Sequence, residues 1–152
     1  MITLESRGVH AIAYSSDGRY LVAGNSNGTV CQWHTNTWRS AGVLTDPHSK
    51  GINSVAFNPA NSLLATGDAN GHVYLWSNGH AKVLTDPSGS AITSVAFSSD
   101  SKYLAVGDAD GMVNFWQTKN WHLINKVHYP GSSGISSVAF NPAHSLLTKL
   151  NS

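Results

Sequence analysis

The sequence repeats itself, and this repeat limits the possible folds more than any other feature. A hexapeptide with an aromatic end recurs four times, at Val9–Tyr14, Ile52–Phe57, Ile92–Phe97 and Ile135–Phe140. A second block closes on tryptophan three times, at Trp33, Trp76 and Trp116. Both blocks return at intervals of 43 and 40 residues. A fixed period of this length indicates a repeat architecture in which each unit is one supersecondary element.

Each unit reads as four short strands. In the second unit the pattern predicts strands at Ile52–Phe57, Ser62–Gly67, His72–Trp76 and Ala81–Leu84. An Asn-Gly or Asp-Gly pair lies between the middle two strands of every complete unit, at residues 27–28, 70–71 and 110–111. Such a pair between apolar runs is a strong hairpin signal, because both positions accept a positive φ. Amphipathic helical periodicity is absent from the sequence.

Each unit has four strands, a hairpin glycine and a tryptophan that closes the third strand. With this combination, residues 9–147 resemble the WD-repeat β-propeller family. The blocks are most similar to bacterial tandem repeats of this family. The resemblance implies an all-β propeller of four-stranded antiparallel blades. In the family, Trp, Ser/Thr, His and Asp form a buried hydrogen-bonded tetrad. Only Thr66 fits the Ser/Thr position here, because Ala23 and Val106 replace it in the other repeats, so an intact tetrad is not expected.

The repeats divide a single domain, residues 1–152, into about three and a half blades. The predicted blades cover residues 9–49, 50–89 and 90–132, with a half-blade at 133–147 and a divergent tail at 148–152. Because the repeat breaks after Leu147, residues 149–152 are expected to be poorly ordered or to make contacts foreign to the family. The second blade also has a shorter turn: 8 residues separate Trp76 from Leu84, against 11 between Trp33 and Leu44.

A partial ring of this kind leaves the outer side of its first blade and of its half-blade without a neighbouring blade. Propellers close at roughly four to eight blades, so we expect two chains to close a ring head to tail as a homodimer. A four-position ring from one chain, and a fragment of a longer propeller, remain alternatives. The expected exposed apolar groups are Ile12, Tyr14 and Leu21 at one end and Val138, Phe140 and Leu146 at the other.

Composition narrows the class of protein. The formal net charge is only +1 and 11% of residues are charged, whereas nucleic-acid binders usually carry a basic excess. The single cysteine, Cys31, excludes an internal disulfide. The eight histidines lack ligand spacing, and neither a nucleophile motif nor a phosphate-binding loop occurs. We therefore predict a non-enzymatic, cytoplasmic protein with no catalytic residues, no metal site, no cofactor and no nucleic-acid or membrane partner.

Candidate protein-binding residues lie in the turns expected on one face of the propeller. They are Asp68, Asp108, His48, Lys50 and Tyr129. An aspartate in such a turn also caps its own backbone amides, so a structural role competes with a binding role. Trp38 and Trp121, in the two longer turns of the opposite face, form a recognition pair or cover a blade edge. The resulting hypotheses are a propeller scaffold that binds proteins or peptides, and a self-assembling, duplicated or designed half-propeller with no other partner.

Overall fold

The computed structural model describes residues 8–46, 49–131, 133–141 and 147–151, and this part of the chain is all-β. Its strands form three four-stranded antiparallel sheets and one two-stranded sheet. Blade one contains β1 Val9–Tyr14, β2 Tyr20–Asn25, β3 Thr29–His34 and β4 Ser40–Thr45. Blade two contains β5 Ile52–Phe57, β6 Leu64–Asp68, β7 His72–Ser77 and β8 His80–Thr85. Blade three contains β9 Ile92–Phe97, β10 Tyr103–Asp108, β11 Met112–Gln117 and β12 Leu123–His128. The half-blade contains β13 Ile135–Phe140 and β14 Leu147–Asn151.

The predicted all-β blade architecture is confirmed, and the turn residues explain it locally. In the three four-stranded sheets, the strands pair in sequence order. The hairpin glycines Gly28, Gly71 and Gly111 all have positive φ, at 82°, 87° and 87°. These backbone angles are readily available only to glycine. The second strand of blade two starts at Leu64, two residues later than predicted.

A missing side chain lets neighbouring blades pack closely. The central strands β2, β6 and β10 carry a glycine at the same register position, Gly24, Gly67 or Gly107. A Cβ placed there would lie 2.3–2.6 Å from the γ-methyl of an isoleucine in the next blade, Ile52, Ile92 or Ile135. A valine of the same strand, Val55, Val95 or Val138, lies at 3.1–3.3 Å from that position. Each blade therefore seats its first strand in a hollow of the preceding blade.

The core accordingly lies between blades rather than within one of them. One buried cluster joins blades one and two through Val22, Ile52 and Leu64. A second joins blades two and three through Leu75, Ile92 and Leu104. A third joins blade three to the half-blade through Val113, Ile135 and Val138. The apolar residues of the hexapeptide thus hold consecutive blades together.

The expectation that the tail lacks family-like pairing is wrong as far as Asn151. Strand β14 pairs antiparallel with β13 from Phe140↔Leu147 to Ile135↔Asn151. This is the register of a normal second strand, including the irregularity found between Ile52 and Ser54 in β5. The exchanged backbone hydrogen bonds of a β-ladder do not depend on side-chain identity, which explains how a divergent sequence keeps the pairing. Ser152 lies outside the described residues.

Candidate interaction surfaces

The first strand of blade one is an exposed apolar surface. Val9, Ile12 and Tyr14, here termed the first-blade wall, are 41%, 63% and 59% exposed. Their counterparts in β5, Ile52 and Val55, are buried against Gly24 of the preceding blade. No preceding blade stands against β1 in the described residues. The wall therefore presents the residue types that seat every later blade.

Two of the six residues expected to be exposed are buried. Leu21 is only 8% exposed, and it stands in register between two large residues, Tyr14 and Trp33. Val138 is 6% exposed because β13 turns it toward blade three. Phe140 is partly buried against the same cluster. Leu146 lies outside the described residues.

The second strand of the half-blade lacks the glycine that the complete blades carry. Leu150 pairs with Ser137, the position that Gly67 occupies opposite Ser54 in blade two. On β13, Ser137 and Ala139 are exposed. Among the described side chains, the exposed large apolar residues of the first strands lie on the first-blade wall, whereas the exposed residues of β13 are small.

The face that carries the turns between second and third strands is here termed the top face. Asp68 and Asp108 lie on it, but both are fully buried. One carboxylate oxygen of Asp68 accepts the backbone N–H groups of Asn70 and His72, at 2.9 and 2.8 Å. Asp108 accepts those of Asp110 and Met112, both at 2.9 Å. These carboxylates hold their own hairpins, and a protein-binding role for them stays a prediction.

Asp108 also faces a second buried carboxyl group. The hydroxyl oxygen of Ser88 lies 2.9 Å from Asp86 Oδ1 and 2.9 Å from Asp108 Oδ2. A serine has one hydroxyl hydrogen, so it donates to only one of these oxygens. Burial raises the pKa of the Asp86 carboxyl, and its hydrogen bond with Asp108 raises the pKa further. The two groups therefore form a pair in which one carboxyl holds a proton more readily than an isolated aspartate.

The equivalent pair in blade two, Asp46 and Asp68, has different neighbours. Tyr74 replaces Asn114, and burial together with the charge and hydrogen bonding of Asp46 raises the pKa of Tyr74 to about 12. The Nδ1 atom of His72, which replaces Met112, lies 3.5 Å from Asp68 Oδ2. Blade two thus surrounds its carboxylates with a phenol and an imidazole that blade three lacks.

Of the remaining predicted site residues, the structure describes Lys50 and Tyr129, which lie on the same top face in different settings. Lys50 is exposed, and its backbone N–H donates to Asn70 Oδ1 at 3.3 Å. Tyr129 is partly buried against the cluster of Val113 and Ile135. His48 lies outside the described residues. The structure therefore leaves Lys50 as the most accessible of the named candidates that it describes.

The sequence reading missed a cleft between blades one and two, on the face opposite the top face, here termed the bottom face. It encloses about 490 Å³. Blade two contributes Phe57, Leu64 and Trp76 to its lining, and blade one contributes Tyr20, Gln32 and His34. The rings of Tyr20 and His34 are 5.0 Å apart between centroids. The signal for this cleft was the three-residue-shorter turn of blade two.

The sequence predicts that only the second repeat keeps a Ser/Thr partner for its tryptophan. Trp76 Nε1 donates to the Thr66 hydroxyl at 3.0 Å within the core of blade two. In blades one and three, Ala23 and Val106 occupy the position of Thr66 and offer no hydroxyl to Trp33 and Trp116. Within residues 8–46, 49–131, 133–141 and 147–151, no group of three His, Cys, Asp or Glu side chains is placed to hold a metal ion. The same residues contain no helix of the length and hydrophobicity needed to cross a membrane.

The repeats match a known family over most of the chain. The family model described as "WD domain, G-beta repeat" matches residues 2–34, 39–77 and 79–117. A comparison with curated proteins finds no match. The chain belongs to the WD40 repeat family, and its fold is a partial WD-type propeller of about three and a half blades. Proteins of this family are generally non-enzymatic scaffolds that mediate protein interactions.

Proposed function

We propose that this chain is a non-catalytic WD-repeat scaffold in which two copies associate head to tail into a closed ring and bind proteins or peptides on the top face. The first-blade wall carries the proposal. Val9, Ile12 and Tyr14 are exposed, whereas Ile52 and Val55 at the equivalent positions of blade two are buried. Exposed apolar patches of this kind mark interaction sites.

The wall is large enough to matter energetically. Complete burial of one large apolar side chain is worth about 1.5–3 kcal/mol. Because the three wall residues are already about half buried, covering them completely is worth about 2–5 kcal/mol, a sizeable fraction of the roughly 5–15 kcal/mol that separates a folded domain from its unfolded chain. A head-to-tail contact would place the wall against β13 and β14, whose exposed Ser137 and Ala139 correspond to Ser54 and Ala56 in blade two.

Light scattering across a hundred-fold dilution tests self-association. We expect a mass near twice the 16.1 kDa of one chain, and a folded 16.1 kDa species for the double variant Ile12→Asn, Tyr14→Ser. The matched control is Val83→Asn, which changes an apolar residue exposed to 45% on the outer strand β8. It should leave the mass unchanged. A folded wild-type monomer at micromolar concentration would refute the assembly.

A second variant tests the head-to-tail arrangement itself. If β14 receives the wall as β2, β6 and β10 receive the later blades, glycine is the residue suited to position 150. Leu150→Gly should then tighten the dimer at least several-fold, while Lys149→Gly should not. Equal dimer affinity for wild type and Leu150→Gly would exclude the repeat-like contact and favour one between two first-blade walls.

The top face is tested with an immobilised peptide library. We expect binding that Lys50→Glu weakens, because Lys50 is an exposed top-face cation. Lys82→Glu, which reverses an exposed charge on the outer strand β8, is the matched control. Failure to capture any peptide would favour the alternative, a purely structural or duplicated half-propeller without a partner of its own. The burial of Asp68 and Asp108 supports that alternative. We also propose a cytoplasmic location, as expected for a chain whose one cysteine cannot form an internal disulfide.

A further inference from the structure

The bottom-face cleft between blades one and two has a twin at the next junction, where a tryptophan packs. The cleft residues Leu44, Leu64 and Trp76 correspond in the repeat to Leu84, Leu104 and Trp116. Leu84 and Leu104 belong to the buried cluster between blades two and three, and both Trp116 and Trp121 pack against that cluster. An indole ring therefore lies against the second junction at the level where the first junction has a cavity.

The difference between the two junctions follows from the length of one turn, the turn between the third and fourth strands. In blade three, Trp121 lies in the turn between β11 and β12 with φ 56°, and in blade one Trp38 has the same conformation with φ 55°. In blade two, Asn78 and Gly79 alone join β7 to β8, with φ 50° and 78°. This tight turn has no residue at the tryptophan position. Blade two therefore cannot fill its own junction with blade one.

The lining of the cleft suits an aromatic ring with a polar edge. Its volume, about 490 Å³, falls within the roughly 300–1,000 Å³ typical of ligand sites. Phe57 and Trp76 supply apolar and aromatic surface. Gln32 and His34 stand where the twin junction has Leu75 and Ser77. An amide oxygen at Gln32 can accept the N–H of an indole, which a leucine cannot do.

We propose that this cleft binds the tryptophan side chain of a partner peptide, in the place that Trp121 fills at the following junction. The partner thereby supplies the ring that the short turn of blade two omits. The site lies within one chain and on the bottom face, so it is independent of both self-association and the top-face binding proposed above.

Calorimetric titration with N-acetyl-tryptophanamide tests the proposal, with N-acetyl-leucinamide as the control probe. We expect one equivalent of the tryptophan probe to bind and the leucine probe to bind at least tenfold more weakly. Exchanging Ser77–His80 for the six residues Gln117–His122 supplies an internal tryptophan and should reduce probe affinity at least tenfold. The same exchange with alanine in place of tryptophan is the matched control and should keep the affinity.

Equal affinity in the wild type and in the folded tryptophan-bearing exchange would overturn the assignment, as would a folded wild type that binds neither probe. Trp121→Ala gives a second, independent readout, because emptying the twin junction should raise the stoichiometry from one to two. Trp38→Ala removes the exposed ring of blade one and should change nothing. If Trp38→Ala instead both abolishes a dimer and increases probe affinity, the occupant is a second copy of this chain, and the partner-peptide proposal is wrong.

Discussion

Replacing Gly67 with alanine is the most direct perturbation of the contact between blades. A Cβ at this position would lie 2.3 Å from Ile92 Cγ2 and 3.0 Å from Ile92 Cβ. Ile92 is fully buried, and Val95 Cγ1 already lies 3.3 Å from the same point. The new methyl group has no free space, so either Ile92 changes its position or blades two and three separate slightly.

The expected cost follows from two opposing effects. Inserting a methyl group into a well-packed core typically costs about 1–3 kcal/mol. Replacing glycine with alanine also reduces the entropy of the unfolded chain, which stabilises by about 0.4–1 kcal/mol. The net loss in the free energy of unfolding should therefore be about 1–2 kcal/mol. For a domain of this size, that corresponds to a fall of roughly 2–8 °C in the melting temperature.

Urea denaturation followed by tryptophan fluorescence measures the loss, and a double-mutant cycle with Ile92→Ala assigns its cause. Ile92→Ala alone should cost about 2–5 kcal/mol because it leaves a cavity. In that background, Gly67→Ala should cost almost nothing, since the added methyl group then occupies vacated space. Wild-type stability of Gly67→Ala, or an equal cost in both backgrounds, would refute close packing at this position.

Three further predictions concern the turns and buried polar groups. Gly71→Val should destabilise by more than about 1 kcal/mol in thermal unfolding, because Gly71 has φ 87° and a Cβ there would lie 2.9 Å from the Ser90 carbonyl oxygen; an unchanged melting temperature would contradict this. Thr66→Val should cost about 1–3 kcal/mol in chemical denaturation, because the buried Trp76 N–H loses its acceptor, and the same type of change at exposed Thr45 should cost little. The raised pKa of Asp86 means that the folded chain holds a proton which the unfolded chain releases, so this contribution to stability is present below the ordinary value of 3.8 and is lost as the pH rises through the raised pKa. Asp108→Asn should flatten that decline in a pH series of urea melts, and an unchanged slope would show that the two carboxyl groups do not interact.

The repeat predicted the sheet architecture well because its signals are local. Alternating side chains and the Asn-Gly or Asp-Gly pairs act within one blade, and β5 coincides with the predicted Ile52–Phe57. The shortened second strand has an equally local cause, because the Asn61 side chain accepts the Leu63 N–H and holds the turn up to Leu63. Blade number followed from counting these signals.

Predictions of which side chains are buried succeeded less often, because burial depends on which neighbouring strand each side chain contacts. The burial of Val138 follows from the side of β13 that contacts blade three, and the burial of Leu21 follows from the large residues in register beside it. The hexapeptide spacing does not contain this information directly. A β-bulge near the start of each first strand shifts the alternation, as between Val9 and Ala11 or Ile52 and Ser54. Strict alternation would put Ile52 and Val55 on opposite faces, whereas both contact the position of the missing Gly24 side chain.

The bulge and the glycine together give every junction a direction. The bulge brings an isoleucine and a valine of each first strand to one side, and the glycine of the preceding second strand leaves the space that receives them. A blade therefore has a side with large residues and a side with a hollow, and the two sides are not interchangeable. The first-blade wall is a large-residue side, with Val9 and Ile12 at the positions of Ile52 and Val55. A partner that covers it in the manner of the repeats must bring a strand with no side chain at the glycine position. Leu150 occupies that register position in β14, so the proposed head-to-tail contact predicts that Leu150→Gly strengthens the association of two copies.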